Sequence, residues 1–264
     1  MSDDRTVPRP GAVNPARRRL LRGIGALGAT GLLAGCDWTQ SQPVQDALSR
    51  TQDLTQAAMR LVSSREALAR EYPARDIAPE FRANGSIQPQ SDVYRSLLAD
   101  GFADYRLGVH GAVTTPMQFS LADLKAMPSR TQITRHDCVE GWSCIGQWTG
   151  VPLAHVLERV GPTDRARFVV FHCADHLYNA PQPYYESLDM IEAHHPQTLL
   201  AYGLNGADLP VANGAPIRLR AERQLGYKMA KYVMNIELVE SFDHIQGGKG
   251  GYWEDRGYNW WAGI

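Results

Sequence analysis

Arg135-His136-Asp137-Cys138-Val139-Glu140-Gly141-Trp142-Ser143 sets a cysteine beside cationic groups and follows it with a Gly-Trp turn. Chemistry is expected here, because the thiolate is the form of cysteine that attacks electrophiles and ligates metals. Arg135, and His136 if protonated, would favour it. Upstream, Gln132-Ile133-Thr134 reads as the strand that delivers this segment, and Ser120-Leu121-Ala122-Asp123 as a capped helix start closed by Met127-Pro128. Leu107, Val109, Gly111 and Val113 alternate as a half-buried strand. Downstream, Pro152 suits the first turn of a helix with Leu153, Val156, Leu157 and Val160 on one face, stopped by Gly161-Pro162. Residues 167–173 read as a buried strand, 213–220 as a turn and strand, and 232–240 as a last strand. Strands and short helices alternate without a regular βαβ period, which predicts an α+β domain with mixed β-sheets.

At 264 residues, 44% hydrophobic and 21% charged, the chain is long enough for one globular domain with short appendages. Six arginines stand against Asp3 and Asp4 in the first 35 residues. The remaining 21 basic and 26 acidic residues give a body of net charge −5. An acidic body without a basic stripe argues against nucleic acid as a partner. The cysteines at 36, 138, 144 and 173 are too few and too uneven for a disulfide scaffold.

Residues 1–36 read as an export signal: Arg17-Arg18-Arg19-Leu20-Leu21-Arg22 precedes a Gly- and Ala-rich apolar run that is too short for a membrane span. The arginine cluster resembles a twin-arginine signal, and Leu33-Ala34-Gly35-Cys36 resembles a lipobox. A periplasmic protein, anchored to the inner membrane through lipidated Cys36, is the expectation; the plainer alternatives are an ordinary signal or an uncleaved anchor. Residues 37–80 read as a polar tether and an amphipathic helix, with apolar residues recurring from Val44 to Leu68 and Pro73 as its stop. Packing of that helix on the core is the simplest expectation. Residues 81–264 form the predicted domain, and the aromatic-rich tail from Gly247 to Ile264 reads as a packing strap whose rings could wall a site.

The segment around Cys138, with Asn-Gly-Ala-Pro-x-Arg at 213–218 and Gly-aromatic-Lys-x-x-Lys at 226–231, resembles the molybdenum-cofactor domain of the sulfite oxidase superfamily. The branch it most resembles holds the catalytic subunit of the periplasmic methionine-sulfoxide reductase. The resemblance implies a molybdopterin-dependent oxidoreductase in which one pterin dithiolene and the Cys138 thiolate hold molybdenum. It carries Asn84, Ile87 and Gln88 to the pterin, and Asn213, Arg218, Met229, Ala230 and Lys231 to the phosphate and ring. Arg holds phosphate bidentately and Lys adds a point charge. Cys173 stands where this branch has Thr, so a hydroxyl contact becomes a thiol or backbone contact. His136, Asp137 and Glu140 flank the ligand and either shuttle protons or brace the loop.

No haem-binding segment is found, so the resemblance implies a separate electron-transfer protein. It places reduction of a sulfoxide-type or other S-oxide or N-oxide substrate ahead of sulfite oxidation, for which Arg135, His136 and Arg223 would build an anion pocket. A non-enzymatic exported lipoprotein on an empty fold is the rival of another class. For the cysteines, the rivals are a Cys138–Cys144 disulfide and a zinc site at His172, Cys173 and His176.

Overall fold

The computed structural model describes residue 51, residues 54–62 and residues 64–264. The signal and lipobox of residues 1–36, the tether, and the apolar positions Val44, Ala47 and Leu48 lie outside the described residues.

The body is built on two sheets, one mixed and one wholly antiparallel, with few, short helices. In chain order its elements are α1 (Asp92–Ala99), β1 (Arg106–Gly111), β2 (Met117–Ser120), α2 (Leu121–Ala126), β3 (Arg130–Cys138), β4 (Trp142–Pro152) and α3 (Leu153–Val160). There follow β5 (Phe168–Cys173), β6 (Tyr185–Asp189), α4 (Met190–Ala193), β7 (Leu199–Leu204), β8 (Ala207–Asp208), β9 (Arg218–Arg220) and β10 (Val233–Val239). One sheet runs β2-β1-β10-β5-β6, parallel only between β1 and β10. The other runs β3-β4-β7-β8, with β9 also pairing β7.

Local chemistry sets the helix ends. Ser120 and Asp123 exchange both bonds of a capping box at α2. The Ser91 hydroxyl accepts from the Tyr94 N–H at α1. Gly161, at φ 63°, ends α3 by returning its N–H to Leu157 O at 3.0 Å. Leu153, Val156, Leu157 and Val160 of α3 are fully buried against Leu107, Phe171 and Ile236 of the first sheet's cluster. Each such side chain contributes about 1.5–3 kcal/mol on removal from water. Gly150 lets β4 approach β7, since a Cβ there would strike the Leu200 carbonyl and Ala201 Cα.

The helix expected to run on to Pro73 stops early. Residues 54–62 are helical, but beyond them the chain turns and extends along β3, the edge of its sheet. There the Tyr72 N–H donates to Ile133 O at 2.9 Å and Glu71 bridges Thr134. Covering that edge satisfies backbone groups that a continued helix would leave exposed. The helix also does not pack its apolar stripe on the core: Leu61 and Val62 are 87% and 78% exposed. Its body-facing side instead carries Arg60, paired with Asp189 and lying over the Trp261 ring. No helix among the described residues is long and apolar enough to cross a membrane.

The tail packs as a strap. Tyr252, Glu254 and Ala262 are buried, and the Tyr252 N–H bonds Tyr185 O at 3.0 Å.

Candidate active site

Cys138 ends β3 opposite Trp142, and a tight turn joins the two strands. Gly141, at φ 85°, permits that turn, and its N–H donates to Cys138 O at 3.0 Å. The turn brings Cys138, Val139 and Glu140 to one wall of a cavity of about 250 Å³. Asn84 and Ser86 line it from the loop before α1, Asp175 and Tyr178 from the loop after β5, Met229 and Lys231 from the segment before β10, and Trp253 and Tyr258 from the strap. Five chain-distant segments therefore meet at one cavity.

Two buried cations underlie it. Arg218 is fully buried, and its guanidinium donates to Asn213 O at 2.9 Å and Met229 O at 3.3 Å, leaving Nε without a partner. It lies over the Trp148 ring at 4.9 Å, and burial together with Arg220 lowers its pKa to about 9. Lys231 donates to Asn84 O at 2.6 Å, Ala212 O at 2.9 Å and Ser86 O, which ties the 84–86 loop to the cavity. Burial and Arg218 bring its pKa down to about 7. Among the described residues neither cation has a carboxylate ion pair, a state that is costly to bury unless an anion joins it.

Acceptors wait beside these donors. Asn84 Oδ1 and Asp175 Oδ1 are buried without a partner, and the other Asp175 oxygen accepts from Ser86 Oγ at 2.6 Å. A pterin presents N–H donors along its pyrimidine edge and an anionic phosphate at its far end, so this donor and acceptor set fits it. Asp175 was not singled out from the sequence. Its signal, an acid at the end of a buried strand, only acquired meaning when β5 delivered it to the cavity.

The other expected residues are distributed unevenly. Met229 lines the cavity, and Ala230 beside it is buried, with its carbonyl accepting from the Leu219 N–H at 2.8 Å. Asn213 lies beneath, its Nδ2 on Phe81 O at 3.4 Å. Ile87, 65% exposed, and Gln88, also exposed, fall outside the lining. Cys173 is buried behind Asp175, with its thiol 3.9 Å from Phe171 O.

His136 lies below the cavity wall, fully buried, with Nδ1 3.1 Å from the Arg220 guanidinium and 3.3 Å from Met229 Sδ. Gly226 makes room for it, since a Cβ there would strike the imidazole ring. Burial, then Arg220, Arg218 and Lys231, hold its pKa well below the usual histidine value. The condition under which His136 would favour the Cys138 thiolate, a protonated ring, is therefore opposed by its surroundings. The Cys138 thiol itself is pushed up, by burial first, with Glu140 adding to it and backbone N–H groups and Arg82 opposing. Arg135 pairs with Asp137 instead, Nε to Oδ2 at 3.0 Å.

The anion pocket considered from the sequence does not assemble either. Arg223 pairs with Glu192 at 2.6 Å beside Trp261, outside the cavity lining.

Cys138, Cys144 and Cys173 are free thiols. Cys144 is buried with Phe81 and Trp148 in a separate cluster under β4. Cys144→Ser should cost about 1 kcal/mol or less in stability and leave the cavity unchanged, measurable by denaturant unfolding. A zinc site does not form: His172 meets Glu237 at 2.9 Å, His176 meets Ala180 O at 2.9 Å, and no group of three metal-ligating side chains converges among the described residues.

The chain matches the model of the oxidoreductase molybdopterin binding domain over residues 96–244, more than half of its length. It is 39% identical to YedZ1 of Azospira oryzae, provisionally named a protein-methionine-sulfoxide reductase subunit, over 94% of this chain and 88% of that one. It is 43% identical to the protein-methionine-sulfoxide reductase catalytic subunit MsrP of Xanthomonas campestris pv. campestris, over 50% of this chain. That match spans only 44% of the relative's length. Among solved structures, the sulfane dehydrogenase SoxCD of Paracoccus pantotrophus aligns over 53% of this chain and 39% of its own, at 23% identity and a TM-score of 0.48. With a cavity that fits a pterin and its phosphate, the chain belongs to the oxidoreductase molybdopterin binding domain family: it is an oxidoreductase whose cofactor is molybdenum-molybdopterin.

Proposed function

We propose that this enzyme reduces an S-oxide, with N-oxides as the next class, using electrons from a separate redox protein. The observation that carries the reading is the cavity's division of labour. Lys231, with buried Arg218 acting on it, is the one cation among the described residues that line the cavity, whose lining otherwise includes Trp253, Tyr258 and Tyr178 with Glu140. Sulfite, a small dianion, would need cations at the mouth; a neutral sulfoxide with an apolar arm needs none.

Cys138 is assigned as the thiolate that binds molybdenum. Arg218 and Lys231 hold the phosphate, and Asn84 and Asp175 accept from the pterin N–H groups. The bound cofactor supplies two-electron oxygen-atom transfer. Reduction of R2SO consumes two electrons and two protons and yields R2S and water. Glu140 lines the cavity and accepts from Trp142 Nε1 at 2.9 Å, which positions a carboxyl group to pass protons. His136 positions rather than relays, because its ring is sealed under the wall.

The names of the relatives support this substrate class, and the arginine cluster and lipobox support export and an inner-membrane anchor at Cys36. Steady-state assays decide: the molybdenum-loaded protein should oxidise reduced viologen with methyl sulfoxides. Turnover of sulfite with an electron acceptor, and of no sulfoxide, would overturn the ordering.

Cofactor-free protein should carry the signature of a buried uncompensated Lys231. Its folded pKa near 7 lies below the unfolded value, so the unfolded chain binds more protons between these values and stability rises with pH there. Between pH 7 and 9 the gain should be about 1–2 kcal/mol, and Lys231→Met should lack it. Urea unfolding at the two pH values measures it; equal slopes in both proteins would refute the assignment.

A further inference from the structure

We propose that Tyr178 is a specificity-determining residue, selecting S-oxides that carry an aryl or other bulky apolar arm. The proposal rests on the sulfoxide reading above.

Tyr178 is the middle residue of a single 3-10 turn, Leu177–Asn179, after β5. Its backbone sits at φ 52° and ψ 36°, in the left-handed region that bulky side chains rarely occupy. The turn is fixed on both sides: the Tyr184 N–H donates to Asp175 O at 2.7 Å and the Ala180 N–H to Leu177 O at 2.9 Å. Leu177 turns inward, buried against the Gly85 backbone. Tyr178 itself is the left-handed residue, and its ring lines the cavity while remaining 77% exposed.

A large ring left mostly in water on backbone that bulky residues rarely adopt buries little apolar area for the fold, and such outliers cluster at ligand sites. Its neighbours are of one kind. Trp253 meets it edge-on at 6.3 Å between ring centroids, and Tyr258 lies 5.2 Å beyond Trp253 at 31°. These rings form one side of the mouth, above the polar floor of Ser86, Asp175 and Lys231. An S-oxide whose oxygen faces the Cys138 wall lays its apolar arm across the exposed ring faces, where sulfur and carbon both gain contact. A substrate without such an arm gains nothing from Tyr178.

The test compares methyl phenyl sulfoxide with dimethyl sulfoxide, which share the reacting group and differ in the arm. In Tyr178→Ala the ratio of kcat/KM for the aryl over the methyl substrate should fall about 3- to 10-fold, the value of one aromatic contact, through KM of the aryl substrate. Tyr178→Phe should restore the ratio. In parallel, tryptophan emission reports binding of the product, methyl phenyl sulfide, whose dissociation constant should rise by the same factor in Tyr178→Ala. An unchanged ratio, or an unchanged sulfide affinity, overturns the proposal. Failure of the wild type to reduce either sulfoxide overturns the proposed reaction instead, and the sulfide titration then still decides the role of Tyr178.

Discussion

Cys138→Ser should abolish turnover, by more than about 100-fold, since even outer partners of a metal site cost 10- to 100-fold when removed. The chain should remain folded, with unfolding free energy within about 1 kcal/mol of wild type. Cys138 is only partly buried, forms no disulfide, and ends a strand whose backbone bonds do not depend on sulfur. Pterin should be largely retained, because the residues proposed to hold it, Arg218, Lys231, Asn84 and Asp175, would do so away from the sulfur. Steady-state kinetics, molybdenum and pterin content per chain, and thermal unfolding should be measured on the same preparation. Wild-type turnover in this variant would end the ligand assignment, and global unfolding would show a structural role in its place.

Lys228→Met should be the most destabilising single change in the body, costing about 3–5 kcal/mol and lowering Tm by about 6–20 °C. Lys228 is fully buried between Glu186 of β6 and Glu254 of the strap, 2.6 Å from the latter, and lies over the Trp260 ring at 5.4 Å. Both carboxylates hold its pKa up against burial, while burial and the Glu254 charge push that of Glu186 well up. Without the ammonium, two buried carboxylates face each other with their second oxygens already unpartnered. A carboxyl with a raised folded pKa is bound to its proton in the folded state while the unfolded chain has lost it, so the defect grows as pH rises above the ordinary Glu range and shrinks toward pH 5. Calorimetry at pH 5 and pH 8 measures both. A loss under 1 kcal/mol at pH 8 would mean that water, not Lys228, balances the pair. The strap carries Trp253 and Tyr258 to the cavity, so this ion cluster also secures one side of the mouth.

Much of the frame was legible because short-range chemistry governs it. The capping box at Ser120 and Asp123, the Gly161 stop, the α3 stripe and the alternation of β1 are satisfied by residues within one turn or one strand. The β3–β4 hairpin was read only in part. Gln132 to Thr134 gave its first strand, but the residues from Trp142 lack a clear apolar period, because the buried positions alternate Cys144 and Trp148 with Gly146 and Gly150 while Ile145 lies on the other face. The helix at 54–62 misled because its 3.6-residue apolar period says that one face is apolar, not which way it turns. Arg60, bound to Asp189, turned that face outward.

By itself, then, the sequence determined the α+β class, the cysteine-bearing turn and the two segments, 213–218 and 226–231, that supply Arg218 and Lys231, since each is written in a few contiguous residues. Only the tertiary structure decided the rest of the site: that Asp175 enters the cavity, that His136 lies sealed and uncharged beneath it, that Arg135 and Arg223 are committed to other carboxylates, and that Tyr178 stands at the mouth. Charge state and access depend on which groups, distant in the chain, are brought within a few ångströms and how far water is excluded, and neither is a property of local sequence.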